Sequence, residues 1–357
     1  MITEDTTLDS DLIDCPGPAL VIGADGVTVD LAGHTVSSAC STNTPGFAAI
    51  DDSGGYDNVR IVNGTVQSGS DATVAFVDST GSVLEGLAIG RCAPPAQTTV
   101  VVSLTRSDRS RIIDTSVSGG NPAILLTGSD RNTITATTVD GGIGIHNGDG
   151  VRLVDGSDRN RLSGDRIGGE SGAIGIISSA GNRVTRSSIA VNGGISLSDA
   201  DATVISRNDL GPGPIGAPAL DMSGSDDTVI TRNDSMSNFF VGGDRNRVAR
   251  NDVSGLSTAI NIGAGDANLV LGNQVDSADD GIGVQAATTN TRVERNVANG
   301  SADDGIEVGA PGTLIRHNTA NNNGDLGIEA VAGVIDGGHN RASGNGNPLQ
   351  CVNVVCK

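Results

Sequence analysis

The chain has 357 residues and a formal net charge of −20, with 42 acidic side chains against 22 basic ones. It therefore lacks the basic surface that nucleic acid or an anionic membrane requires. It also has no run of 18 apolar residues that could span a bilayer as a helix. With 52 glycines, no Trp, one Tyr and four Phe, the core has to be built from Val, Ile, Leu and Ala.

The first residues, Met1-Ile2-Thr3-Glu4-Asp5, have neither the basic start nor the apolar stretch of a signal peptide. The expected location is extracellular or at the cell surface, as a mature form without its signal. A cytoplasmic location is equally compatible with this N-terminus.

From here an apolar position recurs in one local setting: Leu31, Ile61, Leu84, Ile112, Ile134, Leu162, Val184, Ile205, Ile230, Val248, Val270, Val293 and Ile315. A second apolar residue follows about five positions later, and the whole unit repeats every roughly 20–30 residues, the signature of a stacked array. We read one domain, 1–357, with an N-terminal cap and first coil over 1–36 and a C-terminal cap over 341–357. The copy over 246–267 shows three short strands, around Val248, Val253 and Ile260, each alternating apolar with polar residues. No stretch carries a capped helical stripe, so helices should be absent. Three strands per turn, over about 13 turns, predict three parallel sheets around an aliphatic prism, with neighbouring coils about 4.8 Å apart.

Asn208, Asn233, Asn251, Asn273, Asn296, Asn318 and Asn340 fall at equivalent corners. Stacked amides can hydrogen-bond from coil to coil, and asparagine tolerates the left-handed backbone of a sharp corner. Arg207, Arg232, Arg250 and Arg295 precede four of them, a basic stripe able to hold sugar carboxylates or to pair with nearby aspartates. His34 and His317, at corners of their own, read as structural. Cys15 and Cys40 flank the first coil, and Cys351 and Cys356 clip the last residues. These four are the expected disulfide cysteines, with Cys92 left over.

These repeats, and the opening Gly26-Val27-Thr28-Val29-Asp30-Leu31-Ala32-Gly33-His34-Thr35-Val36, resemble right-handed parallel β-helix proteins of the pectate-lyase-like superfamily. The resemblance implies that fold over nearly the whole length. It leaves activity open, because the superfamily holds polysaccharide lyases, glycoside hydrolases, epimerases and phage or adhesin fibres.

The strongest acidic constellation is Asp279-Asp280-Gly281-Ile282, repeated as Asp303-Asp304-Gly305-Ile306-Glu307 and again as Asp325-Leu326-Gly327-Ile328-Glu329. The repeat stacks Asp280, Asp304 and Asp325 and sets Glu307 beside Glu329. Asp280, Asp304, Glu307 and Glu329 are thus candidate acid and base groups, and Asp279, Asp303 and Asp325 are candidate ligands for Ca²⁺. The Asp-Asp-Gly-Ile segment is similar to part of the polygalacturonase pattern, but the Gly-His-Gly element that accompanies it there is missing.

A second candidate lies mid-chain. Gly144, Gly175 and Ser196 form a small-residue floor on which an extended ligand could lie against the backbone. Long excursions over 37–56, 90–108 and 140–158 stand beside it and contain Tyr56 and His146, the latter a candidate base near Asp149 and Asp155. Asn261 and Gln285 complete the candidate substrate-binding set.

The expected function is a carbohydrate-active enzyme (lyase, epimerase or hydrolase) acting on a polysaccharide along a strand face, with no nucleic-acid partner and no membrane insertion. The alternatives are a non-catalytic surface solenoid holding Ca²⁺ and an intracellular small-molecule isomerase or cyclase.

Overall fold

The computed structural model describes residues 1–40, 47–69, 72–92, 99–141, 148–169, 172–189, 194–212, 217–277 and 279–357. Where the sequence reads as one array, the folded chain divides into two compact units, Met1–Gly193 and Gly194–Lys357, each built from the same coil. No helix occurs among the described residues.

In the first unit a representative coil consists of strands Arg111–Ile113, Ser116–Ser118 and Ile124–Thr127. They pair in parallel with the next coil, Ile112 opposite Ile134, Val117 opposite Val139 and Ile124 opposite Val151. In the second unit Arg247–Ala249, Asp252–Gly255 and Ile260–Asp266 do the same, with Val248 opposite Val270, Val253 opposite Val275 and Ile260 opposite Ile282. The array has about 14 turns. Its three strand columns form two sheets where three were expected. In Arg60–Ser68 and Val83–Arg91 the first two columns are a single unbroken strand, which joins them into one sheet.

Coil-to-coil register follows the sequence repeat because a one-residue slip would turn every core side chain outward. Ile61 faces Leu84, Leu84 faces Ile112, and Val270 faces Val293. The first copy is a correction: Val29, not Leu31, lies opposite Ile61, although both are fully buried. Val270, Val293 and Ile315 are likewise fully buried, each stabilising the fold by about 1.5–3 kcal/mol.

The asparagine ladder forms as the sequence implies. Each of its seven members is at most 2% exposed. Asn251 is representative. Its backbone N–H and its Nδ2 both donate to Asn273 Oδ1, at 2.9 and 3.0 Å, and its Nδ2 also donates to the Ile230 carbonyl at 3.0 Å. Its own Oδ1 accepts two bonds from Asn233 at 3.0 Å. All four hydrogen-bonding positions of the amide are used, which is why burial is tolerated.

The left-handed backbone sits elsewhere than expected. It falls on the residue before each asparagine: Arg207, Arg232, Arg250, Gly272, Arg295, His317 and His339, with φ between 55° and 64°. The asparagine is inside the corner and extended; the turn itself is made by its exposed predecessor.

Asp165 holds the ladder position in the first unit. Its Oδ1 accepts from Thr137 N at 3.0 Å, but its Oδ2 is buried with no partner. An amide nitrogen there would donate. Burial pushes the Asp165 carboxyl up to about 6, against the backbone bonds from Thr137 and Ser163 that favour the charged form.

The cysteine expectation needs correction. Cys40 bonds to Cys92, while Cys15 is a free thiol; Cys351 and Cys356 pair as expected. The Cys40–Cys92 bond closes a 52-residue separation between the bases of the first two excursions, a loop whose closure restricts the unfolded chain by about 4 kcal/mol.

Two stability measurements follow. Asn251→Ala removes one of the two bonds to Asn273 Oδ1 and takes the Oδ1 acceptor from the Asn233 N–H and Nδ2; it should lower the unfolding free energy by about 1–3 kcal/mol, read by urea denaturation. For Asp165, a folded-state pKa above the unfolded one penalises the fold as pH rises from the ordinary carboxyl value of 3.8 through about 6, fully so above that. Asp165→Asn should therefore stabilise by on the order of 1–3 kcal/mol at pH 8 and by almost nothing at pH 3. An equal gain at both pH values would mean that the charge is not the cause.

Candidate functional site

In the second unit the third strand column turns one residue per coil away from the core. The register runs Ser196, Asp221, Phe240, Asn261, Gly283, Glu307, Glu329, each opposite the next. The alternating partners Leu220, Phe239, Ile260, Ile282, Ile306 and Ile328 are buried. The column is therefore a consequence of strand alternation alone. No Arg or Lys occurs on it or in the turns over 277–281, 301–305 and 323–327 that lead into it.

Gly283 is buried, and a Cβ built on it would stand 3.0 Å from Thr258 Cγ2 and 3.5 Å from Gln285 Nε2. Asn261 Oδ1 is close by, a buried acceptor with no hydrogen-bond partner. Asn261 and Gln285 thus meet over a position without a side chain. Phe240 and Asp221 were missed by the sequence reading. The doubled Phe239-Phe240 was the available signal, since alternation must turn one ring out.

Below Gly283 the repeated Asp-Asp-Gly turns stack. Ser277 Oγ donates to the Asp280 carbonyl at 2.6 Å and accepts from Asp279 N at 3.0 Å, closing the turn. Glycine must follow Asp280, because a Cβ at Gly281 would stand 2.6 Å from the Gly305 carbonyl oxygen. The next coils repeat the arrangement: Asp304 N donates to Asp280 Oδ1 at 3.2 Å and Leu326 N to Asp304 Oδ1 at 2.7 Å. The stack expected of Asp280, Asp304 and Asp325 is thus corrected. Leu326 takes the third buried place, and Asp325 aligns with Asp279 and Asp303 through the bonds Asp303 N to Asp279 O and Asp325 N to Asp303 O.

Asp280 and Asp304 are only 8% and 3% exposed, while Glu307 and Glu329 are exposed. Burial, more than repulsion, pushes the Asp280 carboxyl up to about 6, with Glu307 and Asp279 adding to it. Asp304 is pushed up to about 7, first by burial and then by its hydrogen bond and charge interaction with Glu329. Each buried aspartate thus keeps its proton to a higher pH than an ordinary carboxyl, with the glutamate one coil further on adding to the effect of burial. The carboxylates of Asp279, Asp280 and Asp303, and of Asp303, Asp304 and Asp325, each converge within 4.8 Å.

The mid-chain candidates fare differently. Gly144 and His146 lie outside the described residues. The space over Gly175 is not open to a ligand. A Cβ there would stand 2.9 Å from Asp149 Oδ2 and 3.8 Å from Arg152 Cγ. Those two side chains pair at 2.6 Å, and burial raises the Asp149 carboxyl against that attraction. Tyr56 folds over Gly54 and donates its backbone N–H to Asp52 Oδ1 at 3.1 Å, which reads as local structure. Ser196 belongs to the exposed column of the second unit. A groove of about 670 Å³ in the first unit, lined by Gly64, Gly86, Ala88, Ser116 and Thr138, contains Asp114 as its one ionisable side chain and has no acid–base pair.

Residues 35–238 match the family described as periplasmic copper-binding protein (NosD), and residues 216–345 match the right handed beta helix region. The chain belongs to the NosD family. Among solved structures, this NosD-family chain is similar to the periplasmic alginate epimerase AlgG, with a TM-score of 0.53 and 14% identity over 92% of this chain and 78% of that one. It is also similar to a tailspike protein of E. coli bacteriophage HK620 in complex with a hexasaccharide, with a TM-score of 0.50 and 11% identity over 98% and 71%. These likenesses establish the right-handed parallel β-helix. No curated protein sequence matches the chain. The NosD-family assignment and the two disulfides agree with an oxidising location, periplasmic or extracellular. No helix among the described residues is long and apolar enough to cross a membrane.

In this NosD-family chain the influence of Glu307 on Asp280 can be tested directly. Glu307→Gln removes a charge that raises Asp280, so the Asp280 carboxyl should titrate below about 6 yet stay above 3.8 because it remains buried. Carboxyl carbon NMR across pH 3–8 reads this, and an unmoved Asp280 titration would show that the two groups do not interact.

Proposed function

We propose that the chain is a glycoside hydrolase acting on an uncharged polysaccharide laid along the exposed column of the second unit. The observation that carries the reading is the pairing of a buried, proton-holding aspartate with an exposed glutamate, twice in succession: Asp280 with Glu307, and Asp304 with Glu329. Asp280 keeps its proton up to about pH 6 and Asp304 up to about pH 7, so a proton donor stands beside a second carboxyl on the face where a glycan would lie. Phe240 offers a ring face for a sugar, and Asn261 and Gln285 offer hydrogen bonds. The absence of cationic side chains along the column disfavours uronates, whose carboxylates the acidic stack would repel. It therefore disfavours lyase and epimerase chemistry as well, which must stabilise charge next to a carboxylate. The names of two proteins of like fold, an alginate epimerase and a tailspike bound to a hexasaccharide, support a saccharide ligand in general.

Glu307 and Glu329 face each other on strands about 4.8 Å apart. A pair held one strand spacing apart suits the roughly 5–5.5 Å between the carboxyls of a retaining enzyme better than the wider gap of an inverting one. In this reading the proton held by Asp280 passes by way of Glu307 to the departing glycosidic oxygen. Glu329 attacks the anomeric carbon as the bond to that oxygen breaks. Water, deprotonated by Glu307, then releases the sugar with its configuration retained.

A second reading rests on the two aspartate triads, whose all-oxygen donors suit a hard divalent cation such as Ca²⁺ on a non-catalytic solenoid. Copper, which the family description names, fits the described residues poorly. Copper favours imidazole, thioether and thiolate, yet the converging triads are all aspartates. His34 is engaged by Asp11 at 3.1 Å, and His317 and His339 lie parallel, 6° apart, so their lone pairs run side by side and do not converge.

Neutral oligosaccharides and polyuronates, assayed with and without EDTA, decide between the readings. Turnover of a neutral glycan with retained anomeric configuration, insensitive to EDTA, is expected. Glu307→Gln or Asp280→Asn should then lower kcat by about 10²–10⁴. The rate should fall as pH rises through about 6–7, where the pairs lose their proton. No turnover on any glycan, combined with a melting temperature lowered by EDTA, would replace the hydrolase with the cation-binding solenoid.

A further inference from the structure

One corner of the second unit collects positive charge on an otherwise strongly acidic protein. Arg207, Arg232, Arg250, Arg295, His317 and His339 occupy successive positions there, interrupted only by Gly272. All are exposed, and among the described residues none of the six makes an ion pair. The alternative expected from sequence, pairing with neighbouring aspartates, is thus not what the side chains do.

The ridge ends in a pocket of about 360 Å³ lined by His317, Thr319, His339, Asn340, Arg341 and the only lysine, Lys357. The two imidazoles stack with ring centroids 4.7 Å apart and planes 6° apart. Four groups able to carry positive charge therefore line one concavity, and among the described residues none of them forms an ion pair with a carboxylate. The nearby acids are already engaged. Glu294 is held by Arg292 and Arg316, at 2.6 and 2.9 Å, and Asp336 accepts from Gly338 N and Val355 N, at 2.8 and 2.9 Å.

We propose that this pocket is an oxyanion-binding site, taking a sulfate, phosphate or carboxylate group between the stacked histidines, Arg341 and Lys357. An anion there would relieve the mutual repulsion of like charges and use the free donors of all four side chains. Stacked imidazoles that are both charged repel each other, and an anion between them offsets that repulsion. His317 is held below the usual histidine range, first by partial desolvation and then by His339, Arg295 and Arg316, with Glu294 opposing. Anion binding should reverse that and draw a proton onto the ring, making affinity greater at lower pH. The site lies on a different face from the Glu307 column, so it stands or falls independently of the glycosidase reading.

The test uses the full chain in low salt. Inorganic sulfate is titrated by calorimetry at pH 5.5 and pH 8 while the histidine ring signals are followed by NMR. The expected result is saturable binding, several-fold tighter at pH 5.5, with the His317 titration moved upward by sulfate. Arg341→Ala should weaken binding about tenfold. His317→Gly should abolish the pH dependence without harming the fold, since glycine suits the left-handed backbone there. A galacturonate oligomer forms the second arm: tighter binding than sulfate assigns the pocket to an acidic chain end, and equal or weaker binding assigns it to a free ion. Absence of saturable sulfate binding, or binding unchanged in both variants, would overturn the proposal.

Discussion

Everything in this molecule depends on the repeated hydrogen-bonded stacking of one coil on the next. Backbone pairing supplies most of the bonds, but it does not by itself forbid a slip. The buried asparagine amides do, because each uses all four of its hydrogen-bonding positions at one register, as Asn251 does with Asn233, Asn273 and the Ile230 carbonyl. A shifted coil would bury several unpaired amide groups, each at a cost of about 1–3 kcal/mol. Asp165 shows the same constraint from the other side, since an oxygen in place of the amide nitrogen is left without a partner.

Once the register is locked, chemistry becomes a matter of columns. Any residue type that recurs in the repeat is brought to within a strand spacing of its counterpart, whether or not its charge favours it. The Asp-Asp-Gly turns stack buried carboxyls, which respond by keeping their protons to higher pH beside Glu307 and Glu329. The corner arginines stack as well, and their exposure to water lets them do so without ion pairs. The same constraint therefore yields an acid–base face and a cationic ridge within one unit.

Some expectations failed for reasons that lie in side-chain volume. Gly175 was read as an open floor, but the space its missing Cβ leaves is filled by Asp149 and Arg152 of the preceding coil. The left-handed residue was assigned to asparagine from its general tolerance. In the fold the amide is needed inside the corner, and the strained backbone passes to the exposed Arg or His before it. Phe240 went unnoticed because a single ring in a chain poor in aromatics carries no periodic signal.

The sequence by itself determined the period, the strand alternation and hence which residues stack. Ile61 on Leu84, Val270 on Val293 and Glu307 on Glu329 were all legible, because register follows from spacing alone. Only the tertiary structure decided that Cys40 reaches Cys92 and leaves Cys15 free. It alone separated the buried Asp280 and Asp304 from the exposed Asp279 and Asp303, and showed that Arg341, Lys357 and two histidines share a pocket. Spacing is a local property that the repeat records directly. Burial, cross-linking and convergence depend on where loops of unequal length return the chain, and a one-dimensional pattern does not contain those distances.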